Sequence, residues 1–374
     1  MARWEFVVGP PAPTGGHTDE LAQCTNRTVT FRLADQSEAS VTMNDRNGST
    51  NNIVQLASDL HVLRNGTELF RGRMGPSSDT IDTASHVVTF TAICYRGLLS
   101  RRRLFASDLL TWSSAYPDNI MWGLISQTQA RTGGNLAITQ GLGFGNHAGM
   151  STTSLTCIAG DAIADKINDL SNQSTTCFDW AITPYGSVTL CAEIWMYQRG
   201  ASRGVILEHG GSLVSSPWTR EADPSVYANA IRVTGDPSAT PVPTPVEAAA
   251  SDIATRPEGR WDQVYGTDLE TSADVSAYAP WQLQQAQAVI PTYTIPLQNG
   301  AWGGPNHIWL GDTVEVQVKS GRLLTDVALR VNEISATANL DGSESVQLTV
   351  GAPKPNIKKQ LALILRRLRD LERR

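Results

Sequence analysis

The feature that most constrains this fold is a two-residue alternation of apolar side chains over the first hundred residues. The segment TVTFRL places Val29, Phe31 and Leu33 on one face, and EASVTM repeats the pattern. Successive side chains of a β-strand point to opposite faces, so this period predicts half-buried strands. Asn65-Gly66 stands between two such runs and is a strong signal for a β-hairpin. Short antiparallel strands at this spacing are typical of a small β-barrel.

The apolar period changes between residues 107 and 203. Apolar residues recur at helical spacing in DNIMWGLISQTQART and in GDAIADKINDL, which predicts two amphipathic helices. Asp118 is the predicted N-cap of the first helix. The strand-like runs FDWAIT and SVTLCAEIW follow. Residues 107–203 are therefore predicted to form an α+β domain with helices and a hairpin.

A second strand-rich region is predicted over residues 204–352. A proline-rich loop interrupts it at 236–246, and Pro280 stands where the first turn of a helix over 279–290 would begin. The runs IWLGDTVEVQV, TDVALRVNEISA and ESVQLTV then predict a three-strand meander. The whole chain is predicted to be a β-rich α+β protein: an antiparallel β-barrel domain over 1–106, the α+β domain over 107–203, a second antiparallel β-barrel domain over 204–352, and a C-terminal coiled-coil helix over 353–374.

The C-terminal tail differs in charge from the rest of the chain. From Lys354 onward, eight Lys or Arg residues stand against two acidic ones, a charge of +6 in a chain of net charge −6, so residues 1–353 carry −12. Heptad positions a, d and e of the tail are apolar; they are Ile357, Leu361, Ile364, Leu365, Leu368 and Leu371. Leucine at a with isoleucine at d disfavours dimers, so the pattern predicts a three-stranded coiled coil and a homotrimer. The alternative is an amphipathic helix that packs on its own domain or lies on a membrane surface.

Motifs for catalysis and metal binding are weak in this sequence. GLGFGNHAG lacks the GK[ST] ending of a phosphate-binding loop, and no G-x-S-x-G nucleophile elbow accompanies the HGGS run at His209. The six histidines lack the spacing of metal ligands, and the five cysteines, without CxxC, are expected to be reduced and mostly buried. We therefore predict no catalytic residue, cofactor or metal, and no enzyme. Paired glycosidase carboxylates from distant segments stay an alternative.

The only compact basic run in residues 1–353 is Arg101, Arg102 and Arg103. Such runs are most often solvated surfaces, and the functional interpretation is contact with an acidic neighbour or with passing DNA. The acidic body argues against general nucleic-acid affinity. No stretch approaches the roughly 20 apolar residues of a membrane span, and the N-terminus lacks a signal-peptide core. We therefore expect cytoplasmic synthesis and no stable membrane insertion.

Several phrases of the sequence resemble the baseplate-hub, or tail-hub, proteins of long-tailed bacteriophages. TNRTVTFRLADQSEASVTM, DLHVLRNGTELFRGRMGPSSDTID and HVVTFTAICYRGLLSRR are similar to the first domain of minor tail proteins from actinobacterial phages. That domain ends in a Y-R-G-L-L-x-R-R passage, which here runs from Tyr95 to Arg102. LGDTVEVQV and DVALRVNEISATANLDGSESVQLTV resemble the closing barrel of the same proteins.

The resemblance implies a structural virion protein at the tail tip, made in the host cytoplasm. In such hubs a trimeric ring presents two similar barrels per subunit and adapts a sixfold tail tube to a threefold tip. It also implies contacts with the distal tail or tail-tube protein, the tape-measure protein and a central tip or fibre protein. DNA would pass through the lumen without specific binding during ejection. Leu363, at an outward c position, is a candidate contact for the tape-measure or tip protein. A hexameric distal tail adaptor and a cell-wall hydrolase are the alternatives.

Overall fold

The computed structural model describes most of residues 2–351. The residues outside the description are 1, 45–51, 84, 106–110, 148–150, 158, 172–177, 187–188, 197–198, 222–226, 238, 268, 270, 288–290, 299–301, 303–306, 322, 340 and 352–374. The predicted coiled-coil helix over 353–374 therefore lies outside the described residues.

Strands dominate the first part of the chain. They are β1 (Trp4–Gly9), β2 (Asp19–Glu20), β3 (Asn26–Arg32), β4 (Glu38–Asn44), β5 (Asp59–Arg64), β6 (Thr67–Met74), β7 (Ser78–Ile81) and β8 (His86–Cys94). Val29 and Phe31 of β3 are buried at every second position, as the alternation predicts. The predicted hairpin joins β5 to β6. Asn65 (φ 53°) and Gly66 (φ 78°) both have positive φ, as a tight two-residue turn requires.

Helices and a hairpin follow, as predicted. The elements are α1 (Tyr95–Leu99), β9 (Thr111–Ala115), α2 (Pro117–Ala130), β10 (Ile138–Gln140), β11 (Thr153–Thr156), α3 (Ile163–Ser171), β12 (Phe178–Tyr185) and β13 (Thr189–Met196). The prediction that Asp118 is the N-cap of α2 is wrong, because the helix begins at Pro117 and its N-cap is Tyr116. The buried Asp118 carboxylate instead accepts a hydrogen bond from the Gly145 N–H (2.9 Å). We call residues 95–196 the middle unit.

The last part of the chain is again rich in strands. Its elements are β14 (Ser202–Glu208), β15 (Thr219–Glu221), β16 (Ala230–Thr234), β17 (Val246–Ala249), a 3-10 turn (Ile253–Thr255), β18 (Asp262–Gly266), α4 (Ser272–Ala286), β19 (Thr292–Leu297), β20 (Thr313–Ser320), β21 (Leu323–Ala338) and β22 (Glu344–Val350). The predicted meander is confirmed as β20, β21 and β22. The prediction that Pro280 opens a helix is wrong: α4 begins earlier, at Ser272, and Pro280 lies inside it. Thr271 caps α4 by accepting a hydrogen bond from the Asp274 N–H (3.1 Å).

The two strand-rich regions have the same strand order. Within residues 4–94, which we call repeat 1, the order is β1-β5-β6-β8-β4-β3; within residues 202–350, repeat 2, it is β14-β20-β21-β22-β19-β15. Numbered along the chain within each repeat, both orders read first, fourth, fifth, sixth, third, second. β2 and β7 are additions to repeat 1. The strands β16 to β18 and helix α4, which we call the inserted unit, interrupt repeat 2. The first pair is antiparallel in repeat 1 and parallel in repeat 2.

Strand β21 joins the two repeats. It is 16 residues long, and its first half, up to Arg330, pairs with β20. Its second half pairs with β22 on one edge and with β3 of repeat 1 on the other. One continuous path of strands therefore runs from β15 to β2. The predicted β-rich fold with large antiparallel sheets is confirmed, whereas two closed barrels are not, since no sheet closes on itself in the part of the chain that the structure describes.

Three apolar cores correspond to these parts. One core runs through both repeats and includes Phe6, Val41 and Ile334. A second lies in the middle unit, where helices α1 to α3 pack against β12 and β13. A third, small core holds α4 against β16 in the inserted unit. The shared core of the repeats means that they fold against each other as one body.

Candidate functional site

The Y-R-G-L-L-x-R-R passage forms the junction between repeat 1 and the middle unit. Buried Arg96 donates hydrogen bonds to the carbonyl oxygens of Leu33 (2.8 Å) and Trp180 (2.9 Å). It also donates to the side-chain oxygen of Asn168 (2.8 Å) and lies 4.1 Å above the Trp180 ring centroid. Burial lowers the pKa of Arg96 to about 10. One side chain therefore fastens a loop of repeat 1 to a strand and a helix of the middle unit.

Strand β5 is buried along its whole length because its polar face is covered. Asp59 on this face accepts hydrogen bonds from the Tyr95 hydroxyl (2.5 Å) and from Arg73 Nε (2.8 Å). Burial, followed by the neighbouring Asp59 charge, raises the pKa of Tyr95, so its hydroxyl stays a donor. A buried carboxylate with two donors is satisfied without water. Repeat 1 thus presents a polar docking face to the middle unit.

A buried ion pair ties repeat 1 to repeat 2. Arg64 Nη2 lies 2.7 Å from Glu344 Oε1, and the two side chains are 9% and 3% exposed. The indole N–H of Trp4 donates to the same carboxylate (2.9 Å). The Arg64 guanidinium lies 4.7 Å from the Trp302 ring centroid and donates to the Trp302 carbonyl oxygen (3.1 Å). Residues from both ends of the chain therefore form one saturated network, which is the condition under which a buried ion pair is tolerated.

The predicted basic run follows α1, at the junction between repeat 1 and the middle unit. Arg101 and Arg103 are exposed and Arg102 is half-buried. Arg131, the C-cap residue of α2, donates to the Arg103 carbonyl oxygen (2.8 Å), which brings a fourth cation to the run. Burial, then the positive charge of Arg131, lowers the pKa of Arg102. Within the described residues no salt bridge reaches Arg101, Arg102 or Arg103.

Strands β7 and β15 are among the short strands that have one unpaired edge within the described residues. In the described part of the chain, β7 pairs only with β8, and β15 pairs only with β19. Every residue of both strands is exposed. An unpaired strand edge presents backbone N–H and C=O groups and is a template for pairing with another chain.

The overall fold is similar to solved structures of three tail proteins. A tail protein from Neisseria meningitidis has a TM-score of 0.64 at 10% identity, over 93% of this chain and 96% of that one. The 43 kDa tail protein of prophage MuSo2 from Shewanella oneidensis has a TM-score of 0.61 at 11% identity, over 92% and 97%. The prophage tail protein gp18 from Listeria monocytogenes has 0.60 at 10% identity, over 98% and 99%. The chain has the fold of phage tail proteins.

This tail-protein fold is recognisable in the structure but not in sequence matches. Neither a protein-family model nor a curated protein sequence matches the chain. The predicted trimer contacts Ile357, Leu361, Ile364, Leu365, Leu368 and Leu371, and the candidate partner contact Leu363, lie outside the described residues. Cys24, Cys94, Cys157 and Cys191 are free and buried, as predicted. Among the described residues, no helix of this tail-protein fold is long and apolar enough to cross a membrane.

The contacts that hold the repeats and the middle unit together were not predicted from sequence. The Y-R-G-L-L-x-R-R passage contains Arg96 but gives no indication of its contacts. The partners of Arg64 are distant in sequence. The two strand-rich regions were expected to have related topologies, and they do, but no motif in the sequence specifies the particular strand order. A sequence signal exists only for the turn glycines, Gly66 and Gly321, which occupy the fourth-to-fifth-strand hairpin in both repeats.

Proposed function

We propose that the protein is a structural component of a bacteriophage tail and assembles as a homotrimeric hub at the distal end of the tail tube. The observation that carries this proposal is the equal strand order of repeats 1 and 2. Two similar repeats per chain give six similar repeats in a trimer, which suits a sixfold tube on one side and a threefold tip on the other.

The pairing between repeats within one chain supplies a rule for the contact between chains. Within the chain, the fifth strand of repeat 2 (β21) pairs along its second half with the second strand of repeat 1 (β3). In repeat 1 the fifth strand is interrupted after Met74, and β7 continues it along β8, just as the second half of β21 runs along β22. The second strand of repeat 2 is β15. The same rule therefore pairs β7 of one copy with β15 of the next.

Burial agrees with this assignment. Strands β3 and β21, which pair with each other within one chain, contain buried residues at alternate positions. Their counterparts β15 and β7 are exposed throughout. The contact is head-to-tail, because β7 of one copy faces β15 of another, and such contacts form a closed ring when the rotation between copies closes. Closure at three copies gives every repeat two neighbours.

The domain division, the coiled coil, the partners and the location that were expected from sequence are part of this proposal. The four-part division at 106, 203 and 352, with barrel-like repeats and a terminal coiled coil, suits a ring that is held together on its axis. The other proposed partners are the distal tail or tail-tube protein, the tape-measure protein, and a central tip or fibre protein. DNA passes through the lumen on ejection into the host, and the protein resides in the virion at the tail tip. We propose Arg101, Arg102 and Arg103 as a contact for an acidic neighbour.

The experiment that tests this assembly removes strand pairing at β7. The double substitution Asp79→Pro and Thr80→Pro places proline at two successive positions of an exposed strand, so one of the lost N–H groups faces outward. The matched control, Asp79→Ala and Thr80→Ala, changes the same side chains but keeps both N–H groups. Sedimentation should give three copies for the natural chain and the control, and fewer for the proline variant. Trimers of the proline variant would refute the β7–β15 contact.

The same measurement separates the alternative assemblies. A hexameric distal adaptor would sediment as six copies of 40.4 kDa, rather than three. A chain ending at Gly351 tests the proposed coiled coil. Its trimers should dissociate at a higher protein concentration than those of the full chain, because a coiled coil that links the three copies raises the effective concentration of the other contacts. Equal dissociation of both chains would remove the tail from the trimer contact.

A further inference from the structure

A buried histidine on β5 has a ring nitrogen without a partner. His61 is fully buried, and its Nδ1 lies 2.8 Å from Glu68 Oε1. Its other nitrogen, Nε2, is buried and has no hydrogen-bond partner among the residues that the structure describes. A buried polar atom of this kind requires an explanation, because a hydrogen bond left unmade in the interior destabilises the folded state.

The neighbours of His61 determine which nitrogen carries the proton. Arg71 donates to both oxygens of Glu68, from Nε (2.9 Å) and from Nη2 (2.7 Å). A side chain that receives both N–H groups of a guanidinium is an acceptor, so Glu68 accepts the proton of His61 Nδ1–H. In the neutral imidazole this leaves the Nε2 lone pair free.

A second imidazole lies beside the His61 ring. His17 belongs to the loop between β1 and β2, and its ring centroid is 4.7 Å from that of His61 at an interplanar angle of 70°. The donor atoms of His17, His61 and Glu68 all lie within 4.8 Å of one another. An imidazole binds a metal through the lone pair of an unprotonated ring nitrogen.

The loop approaches β5 closely at this point because β1 ends in glycine. A Cβ on Gly9 would lie 1.9 Å from the Gly16 carbonyl oxygen and 3.1 Å from His61 Nε2. Any other residue would push the loop, and with it His17, away from His61. The backbone is thus shaped to bring the two imidazoles together.

We propose that His61 Nε2 and His17 form a binding site for a divalent transition metal of the zinc class. Imidazole nitrogen is a preferred ligand of such metals, and a metal-bound histidine commonly donates its other N–H to a carboxylate, the role that Glu68 has here. Glu68 is a positioning residue, since Arg71 already engages both of its oxygens. Arg71 also donates to the Gly186 carbonyl oxygen (2.6 Å) at the β12–β13 hairpin. The metal would therefore fasten the β1–β2 loop where repeat 1 meets the middle unit.

The experiment uses the full chain without a histidine tag. Protein is dialysed against ZnCl2, bound zinc is counted by mass spectrometry, and thermal unfolding is followed with zinc and with EDTA. His17→Ala is the test variant, because His17 is exposed and its removal leaves the core intact. His307→Ala, which removes another exposed histidine, is the matched control.

We expect one zinc per chain for the natural protein and for His307→Ala, with a rise in Tm of about 2 °C or more that EDTA reverses. His17→Ala should bind zinc at least about tenfold more weakly and lose the zinc-dependent rise. Equal binding by His17→Ala would place zinc elsewhere and overturn the proposal. So would the absence of bound zinc in the natural protein, which would leave an edge contact between the rings of His61 and His17 as the explanation of the buried nitrogen.

Discussion

Repeat 1 and repeat 2 have the same strand order but bury their fourth strand differently. In repeat 1 this strand is β5, and all six of its residues are buried. In repeat 2 it is β20, where buried Val314, Val316 and Val318 alternate with partly exposed polar residues. The difference arises because the β1–β2 loop, through Ala12 and His17, and the middle unit, through Tyr95, cover the polar face of β5. The comparison teaches that pairing order and face burial are specified separately. The pairing order is common to both repeats, whereas the polar side chains on β5 are matched to the parts of the chain that pack on them.

The largest expected effect comes from breaking the ion pair between the repeats. Glu344→Ala leaves the Arg64 charge buried without a carboxylate, which should lower the free energy of unfolding by about 3–5 kcal/mol. Glu247→Ala is the control, because its pair with Arg232 is long (3.8 Å) and exposed on the surface and should cost less than about 1 kcal/mol. Urea unfolding measures both. A small effect of Glu344→Ala would mean that the repeats are held together by the β3–β21 pairing and the shared core alone.

A smaller effect should follow from acid. Burial by itself raises the pKa of Glu344, but hydrogen bonds from Arg64 and Trp4 lower it below its ordinary 4.5. The unfolded chain therefore binds this proton first as the pH falls. The stabilisation is fully present above pH 4.5 and disappears as the pH falls through the lowered folded-state pKa. Urea midpoints should decline over this window in the natural protein, and less steeply in Glu344→Gln. Parallel declines would assign the acid sensitivity to other carboxylates.

The smallest expected effect tests whether equivalent hairpins contribute equally. Gly66 (φ 78°) and Gly321 (φ 56°) occupy the same hairpin in the two repeats, and a Cβ on either meets no atom within 4 Å. Alanine at each position therefore adds only backbone strain, about 1–2 kcal/mol. Thr67→Ala in the first hairpin keeps the backbone unchanged and should stay within about 0.5 kcal/mol. Unequal losses at Gly66 and Gly321 would show that one hairpin carries more of the native structure than the other.

Local patterns predicted the elements well, and their partners poorly. The alternation in β3 and the Asn65-Gly66 turn depend on neighbours in sequence, so the printed residues suffice to predict them. Pro280 was misread because proline is favoured in a first turn, while the capping pair Thr271 and Asp274 marked the true start of α4. Asp118 was misread because a buried carboxylate had a distant partner in Gly145.

The candidate sites depended almost wholly on long-range contacts. His17 and His61 meet because β1 pairs with β5 and the loop after Gly9 folds back, which no ligand spacing reveals. Likewise, β21 meets β3 across most of the chain. Sequence phrases could indicate a phage tail fold, but the edges that remain open for another copy became visible only when the strand order of each repeat was known.

The inserted unit has a consequence for symmetry. It stands between the second and third strands of repeat 2, whereas in repeat 1 the same connection runs only from residue 33 to residue 37. In the proposed ring, six positions would carry the same strand scaffold, but only every other one would carry an added β-sheet and helix. The strand scaffold would present six similar positions to a tail tube that docks on it, while positions with the inserted unit would alternate with positions without it. A partner that binds the inserted unit would have three binding sites on the ring, and a partner that binds the strand scaffold would have six.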